Sequence, residues 1–219
     1  MRVGLVCPFS LDVPGGVQAH VMELAAELMR RGHEVRVLAP ASQTLALPPW
    51  VTSSGDSVPI PYNGSVARLN FGAVVARRAR RWLEAGDFDL IHVHEPIAPN
   101  VGLLVLQAAT GPVVATFHAA MDRSLARELL AGALTAVRPG GVVAYATCSP
   151  HVLETEYVVR DVLKRIHRDG GRVEVLHAGD TAARIAPRPP AGADRETLQL
   201  WPHADDTDAM FCALLRRDV

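Results

Sequence analysis

The chain has 219 residues, 49% of them hydrophobic and 21% charged, with a formal net charge of -1. That length and apolar fraction suit one compact domain or two small ones, and the near-neutral balance argues against general nucleic-acid affinity, which usually leaves an excess of lysine and arginine. No apolar run approaches the roughly 20 residues that span a bilayer, and the apolar stretch in MRVGLVCPFS is too short for a secretory signal, so the chain reads as cytoplasmic. Cys7, Cys148 and Cys212 form no CxxC pair, which indicates neither a disulfide framework nor a zinc ribbon.

In chain order, RVGLVCP is a short apolar run fitting a buried parallel strand. A Pro14-Gly15-Gly16 loop follows, and then Val17, Val21, Leu24 and Leu28 recur at helical spacing until Gly32. EVRVLAP is the next strand, completing a βαβ unit with a right-handed crossover. Proline- and serine-rich sequence surrounds VPIPYNGS, and a helix is predicted from about Phe71 to Ala85. LIHVHEP, PVVATFH, GVVAYATC and RVEVLHA read as strands, separated by helices near Val101 to Ala109, Ser124 to Val137 and Val152 to His167. Thr181 to Glu196 lacks periodicity and reads as a long mobile loop. LQLWPH and AMFCALLRR read as two strands joined by the acidic turn ADDTD. The expected fold class is α/β: a Rossmann-like, mostly parallel sheet flanked by helices, with a C-terminal antiparallel hairpin at a sheet edge.

Three stretches invite chemistry. DVPGGVQ, between a strand and a helix, is either a phosphate cradle, where helix N-terminal amides meet an anion over Gly15 and Gly16, or simply a tight turn. Arg77, Arg78, Arg80 and Arg81, with Trp82 at the edge, give the second helix a basic stretch beside Phe71, Val74 and Val75; this is either an anionic-membrane surface or an ordinary solvated face. HVHE suggests a metal, but His92 and His94 share a strand with Glu95 at its end and no third ligand converges in the sequence, so a structural pair is expected and no metal.

VCPFSLDVPGGVQAHVMELAAEL, RGHEVRVLAPAS, VPIPYNGSVARL, GDFDLIHVHEP and GPVVATFH together resemble the N-terminal half of actinobacterial phosphatidylinositol mannosyltransferases, family 4 glycosyltransferases of the GT-B fold. The resemblance extends from Met1 to about Arg123. It implies a domain over residues 1–123 that holds the acceptor lipid, with GDP-mannose as donor bound mostly by a second domain. By the same resemblance Gly15 and Gly16 lie beside the donor diphosphate, with Asp12 and Gln18 in the same loop, and His118 sits at the reacting sugar. Tyr62, Asn63 and Arg68 approach the phosphoinositol head, where an arginine fork suits phosphate. Phe9 stands where tyrosine is the family's residue, and Ala119 where a hydroxyl residue follows the histidine.

From about Leu125 the text changes. RELLAGALTAVRPGGVVAYATCSPHVLETEYVV and LQLWPHADDTDAMFCALLRR resemble the C-terminal part of NOL/NOP/Sun family RNA cytosine-C5 methyltransferases. This implies a second domain over 124–219, S-adenosylmethionine as methyl donor, RNA as partner, and Cys148 as the nucleophile that adds to the base, with Glu154 at an acidic position after the motif. From the residues alone, Cys148 reads as a buried structural cysteine, and it is the neighbouring motif that turns the reading to a former or actual nucleophile. The glycine-rich cofactor loop of that family has no counterpart here.

ATFHAAMDRSLARELLAGAL, from Ala115 to Leu134, is thus a junction in an apparent chimera. Three functions are expected from it. The first is an incomplete transferase that keeps the acceptor side of a phosphatidylinositol mannosyltransferase, is peripheral at the inner face of the plasma membrane, and needs a partner chain to complete its site. The second is an RNA methyltransferase fragment, and the third a noncatalytic fusion or artefactual joining of two genes.

Overall fold

A computed structural model describes residues 1–62, 65–96, 99–116, 118 and 123–218. The chain divides into two compact units, Met1–Ala119 and Ala120–Val219.

The first unit opens with β1 (Arg2–Val6) and α1 (Gly16–Arg30), followed by β2 (Glu34–Ala39) and β3 (Val51–Ser53). A hairpin of β4 (Val58–Tyr62) and β5 (Ser65–Leu69) precedes α2 (Ala73–Gly86), and β6 (Leu90–His94), α3 (Val101–Ala108) and β7 (Val113–Thr116) complete the unit. Five strands form one sheet in the order β3-β2-β1-β6-β7, with every pairing parallel. Strand alternation assigns its two faces. Val3, Leu5, Val35 and Val37 pack with Val21 and Ala25 of α1 on one side, while Val6, Leu38, Ile91 and Val93 pack with α2 and α3 on the other. Gly32, at φ 85°, supplies the left-handed turn after α1 that a side chain would resist.

On α2 the buried positions are Val75, Ala79, Trp82 and Gly86, a stripe at helical spacing. Trp82 is 6% exposed and leans on Phe88 at a ring-centroid distance of 4.4 Å. Gly4 of β1 lies beneath it: a Cβ there would come within 2.7 Å of both the Trp82 ring and Ile91. Trp82 is therefore a core anchor of this helix, which corrects its placement with the arginines that were expected to face a membrane.

The second unit contains α4 (Arg123–Ala136), β8 (Val142–Thr147), a 3-10 turn over Val152–Glu154, α5 (Glu156–Arg168) and β9 (Val173–Leu176), then α6 (Ala178–Ile185), β10 (Leu198–Gln199), the single-turn α7 (Pro202–Asp205) and β11 (Phe211–Arg217). Leu130 and Leu134 of α4 and Val158, Val159 and Val162 of α5 cover one sheet face over Phe211, Ala213 and Leu215. On β8 the alternate residues Val142, Ala144 and Ala146 are exposed.

Two expectations are corrected in this unit. β11 is an interior strand rather than an edge: it pairs antiparallel with β8 along one side and with β9 and β10 along the other, and its alternate residues Phe211, Ala213 and Leu215 are buried under the two helices, as suits the middle of a sheet. The stretch from Thr181 is helical to Ile185, in a helix whose start is capped by the His177 ring accepting from the Asp180 N–H. The two larger sheets give the α/β class that was expected, the five-stranded one parallel in the first unit and the four-stranded one antiparallel in the second.

Candidate functional site

The C-terminal ends of β1, β6 and β7 and the start of α1 meet at one end of the parallel sheet, where open α/β folds place ligands. Residues Ile91 and Val93 occupy the α2 and α3 face, so His92 and His94 point to the opposite face, the one covered by α1. There they meet His20 of α1 and His118, which follows β7. The His20, His94 and His118 ring centroids are separated by 5.6, 5.2 and 5.0 Å. His94 Nδ1 and His118 Nε2 are hydrogen-bonded at 2.7 Å, and His92 stacks on His94 at 4.2 Å while bonding Thr116 Oγ1 at 2.7 Å. The expectation that no third group joins the strand histidines is thereby corrected. His20 escaped notice because it lies far away in sequence, one residue before the core residue Val21.

Burial keeps His92, His94 and His118 neutral. His94, fully buried, is pushed down to about 2, first by desolvation and then by His92, His118 and His20. His92 falls to about 4 by desolvation and then His20 and His118, and His118 to about 4 by desolvation and then His20. His94 Nε2 is buried with no hydrogen-bond partner among the described residues.

The backbone around His118 is held by a buried relay. Asn100 caps α3 by accepting from the Gly102 N–H at 2.5 Å and the Leu103 N–H at 3.3 Å, and donates to the Glu95 carbonyl at 2.8 Å. Glu95, 1% exposed and at φ 48°, accepts the His118 N–H with its carboxylate. A non-glycine residue at positive φ costs energy, and here the strained turn aims a carboxylate at the strand end.

The glycine loop lies beside this cluster. α1 starts without a side-chain cap and without an acidic residue in its first turn, so its N-terminal amides are available to an anion. Nothing lies within 4 Å of a Cβ added at Gly16, whereas one at Gly15 would meet Gln18 Oε1 at 2.4 Å. Gln18 uses that space to donate to the Ser10 and Val13 carbonyls at 3.1 and 3.3 Å. Asp12 accepts from Ser10 Oγ at 2.6 Å, from Ser42 Oγ at 2.6 Å and from the Ser42 N–H, and these bonds, Ser10 first, lower its pKa, with Arg68 nearby adding to the shift. Asp12 and Gln18 thus brace the loop, while Gly16 faces open space and Arg68 lies near Asp12. Asn63 and the Tyr62 side chain lie outside the described residues.

Arg77, Arg78, Arg80 and Arg81 are all exposed on α2, and Phe71 and Val74 beside them are 52% and 53% exposed. Arg78 reaches back to donate to the Ser54 carbonyl at 3.1 Å. In the second unit Cys148 is exposed at the end of β8, followed by the 3-10 turn rather than directly by an α-helix. Cys7 is buried, donates to the Phe9 carbonyl at 3.4 Å, and is pushed up to about 12 by burial.

The sequence profile of Glycosyltransferase Family 4 matches residues 14–182, more than half of the chain. The chain belongs to glycosyltransferase family 4. Within that family it is 57% identical over 134 residues to a phosphatidyl-myo-inositol mannosyltransferase of Mycolicibacterium smegmatis, a match covering 61% of this chain and 35% of the relative. A Mycobacterium tuberculosis protein provisionally named a methyltransferase is 47% identical over 93 residues, 42% of this chain and 19% of the relative. A methyltransferase homologue from Pyrococcus horikoshii superposes at a TM-score of 0.38 with 19% identity, covering all of this chain and 62% of that one. This family 4 chain spans about a third of the length of the mannosyltransferases it matches. Among the described residues, no helix is long and apolar enough to cross a membrane.

Proposed function

We propose that the first unit is the acceptor side of a phosphatidylinositol mannosyltransferase, working at the cytoplasmic face of an anionic membrane. The observation that carries this reading is the 57% identity to a phosphatidyl-myo-inositol mannosyltransferase. The uncapped α1 start at Gly15 and Gly16 would face the diphosphate of GDP-mannose, and Arg68 would fork onto the phosphoinositol head. His118, neutral at physiological pH, would accept a hydrogen bond from a hydroxyl of the reacting sugar. The exposed stripe of Val74, Arg77 and Arg81, flanked by Arg80, would rest on lipid head groups, with Arg78 holding the helix to Ser54. Transfer would also need donor contacts from a further domain, in this or another chain.

Sedimentation with vesicles tests the reading. Phosphatidylinositol-containing vesicles should pull down the protein more than neutral ones, and replacing Arg77, Arg80 and Arg81 together by alanine should weaken the association on the order of a hundredfold. Equal recovery on neutral vesicles, or an undiminished triple variant, would refute it.

A second reading concerns the other unit. The exposed thiol of Cys148, in a region similar to a protein named as a methyltransferase, supports a nucleophile for RNA cytosine methylation with S-adenosylmethionine. It predicts a covalent adduct with 5-azacytosine-containing RNA that disappears in Cys148→Ala, and calorimetrically detectable S-adenosylmethionine binding. Absence of both favours a noncatalytic fusion.

A further inference from the structure

We infer that His20, His94 and His118 form a three-imidazole site for a divalent transition-metal ion of the zinc class. One ring nitrogen from each residue lies within 4.8 Å of the other two. With zinc-nitrogen bonds of about 2.0–2.1 Å in tetrahedral geometry, ligand atoms lie about 3.4 Å apart and ring centroids about 5 Å apart. The observed centroid separations of 5.6, 5.2 and 5.0 Å match that arrangement. The 2.7 Å hydrogen bond between His94 Nδ1 and His118 Nε2 would open in exchange for two metal bonds.

The His94 ring is fully buried, so a metal bond made there would form away from competing water. The surroundings have the form of a supporting shell: His92 stacks on His94 and is fixed by Thr116, and the Glu95 carboxylate holds the His118 backbone. His20 is exposed, which leaves an entry path and an open fourth position. An all-imidazole set selects zinc, nickel, cobalt or copper and disfavours magnesium and calcium, which take oxygen ligands.

This inference does not rest on the mannosyltransferase reading, and its test contains no lipid or sugar; a His118 ring bound to metal would donate to a sugar hydroxyl through its other nitrogen instead of accepting from it. The full chain, stripped with a chelator, is titrated with zinc by calorimetry and with cobalt by visible absorption. Expected are about one ion per chain and the intense bands of tetrahedral cobalt on nitrogen, without thiolate charge transfer. His20→Ala, at an exposed position that leaves the fold intact by circular dichroism, should weaken zinc on the order of a hundredfold or more, whereas the exposed His203→Ala should leave it unchanged. Unaltered zinc affinity in His20→Ala, a thiolate charge-transfer band, or no binding at all would overturn the assignment.

Discussion

Replacing Trp82 separates packing from surface chemistry on α2. A tryptophan buries up to about 250 Å², and at 6% exposure nearly all of it is out of water. At about 25 cal/mol per Å² this amounts to about 6 kcal/mol, of which alanine retains about a quarter. The loss of about 4 kcal/mol is partly offset because the indole N–H is buried without a partner among the described residues, a group costing about 1–3 kcal/mol. Trp82→Ala should therefore destabilise the first unit by about 3 kcal/mol, whereas Trp82→Phe, which keeps a ring against Phe88 and removes the stranded N–H, should cost about 1 kcal/mol or less. Urea unfolding followed by far-UV circular dichroism provides the assay, with the Arg77, Arg80 and Arg81 triple variant in parallel. That triple variant should unfold within about 0.5 kcal/mol of the parent. A Trp82→Ala protein as stable as the parent but deficient on vesicles would refute the reasoning, since the indole would then be working at the surface.

Two further outcomes are expected. Asn100→Ala should cost about 1–2 kcal/mol in the same unfolding assay, through loss of the α3 cap and of the donor to the Glu95 carbonyl, and a cost below about 0.5 kcal/mol would show that the relay is dispensable. Alkylation of the native protein at mildly alkaline pH should label Cys148 and spare Cys7, whose thiol is pushed up to about 12 and so forms thiolate only as the pH nears that value. Peptide mass spectrometry reads this directly, and labelling of Cys7 ahead of Cys148 would contradict the burial.

The parallel core was legible because its strands are apolar runs between glycine stops, and α1 because Val17, Val21, Leu24 and Leu28 keep one period. The β4–β5 hairpin was not, since Pro59 and Pro61 interrupt the strand pattern; they are tolerated because, among the described residues, β4 pairs with β5 alone, which leaves its other side without a ladder to break. Trp82 could have been assigned to the core from its spacing with Val75 and Ala79, but the adjacent arginines drew attention to the opposite face. At the histidine site, strand alternation alone puts His92 and His94 on the α1 side. Nothing local to ATFH or QAHV tells that His118 and His20 arrive at the same place, because that depends on how far each element extends beyond the sheet. β11 was misread as an edge because its pairing partners lie up to about 70 residues away and carry no mark in its own sequence.

That central strand sets the order in which the second unit can be made. β8, β9 and β10 each pair with β11 and, among the described residues, with no other strand, so all three are synthesised before the template that joins them. The first unit grows differently: β1 and β2 are translated early and later strands add outward from them. A ribosome stalled before Phe211 would thus carry a first unit able to close its sheet and a second with helices but no ladder. Such a nascent chain would expose the apolar sides of α4 and α5 to chaperones and proteases until residues 211–217 emerged.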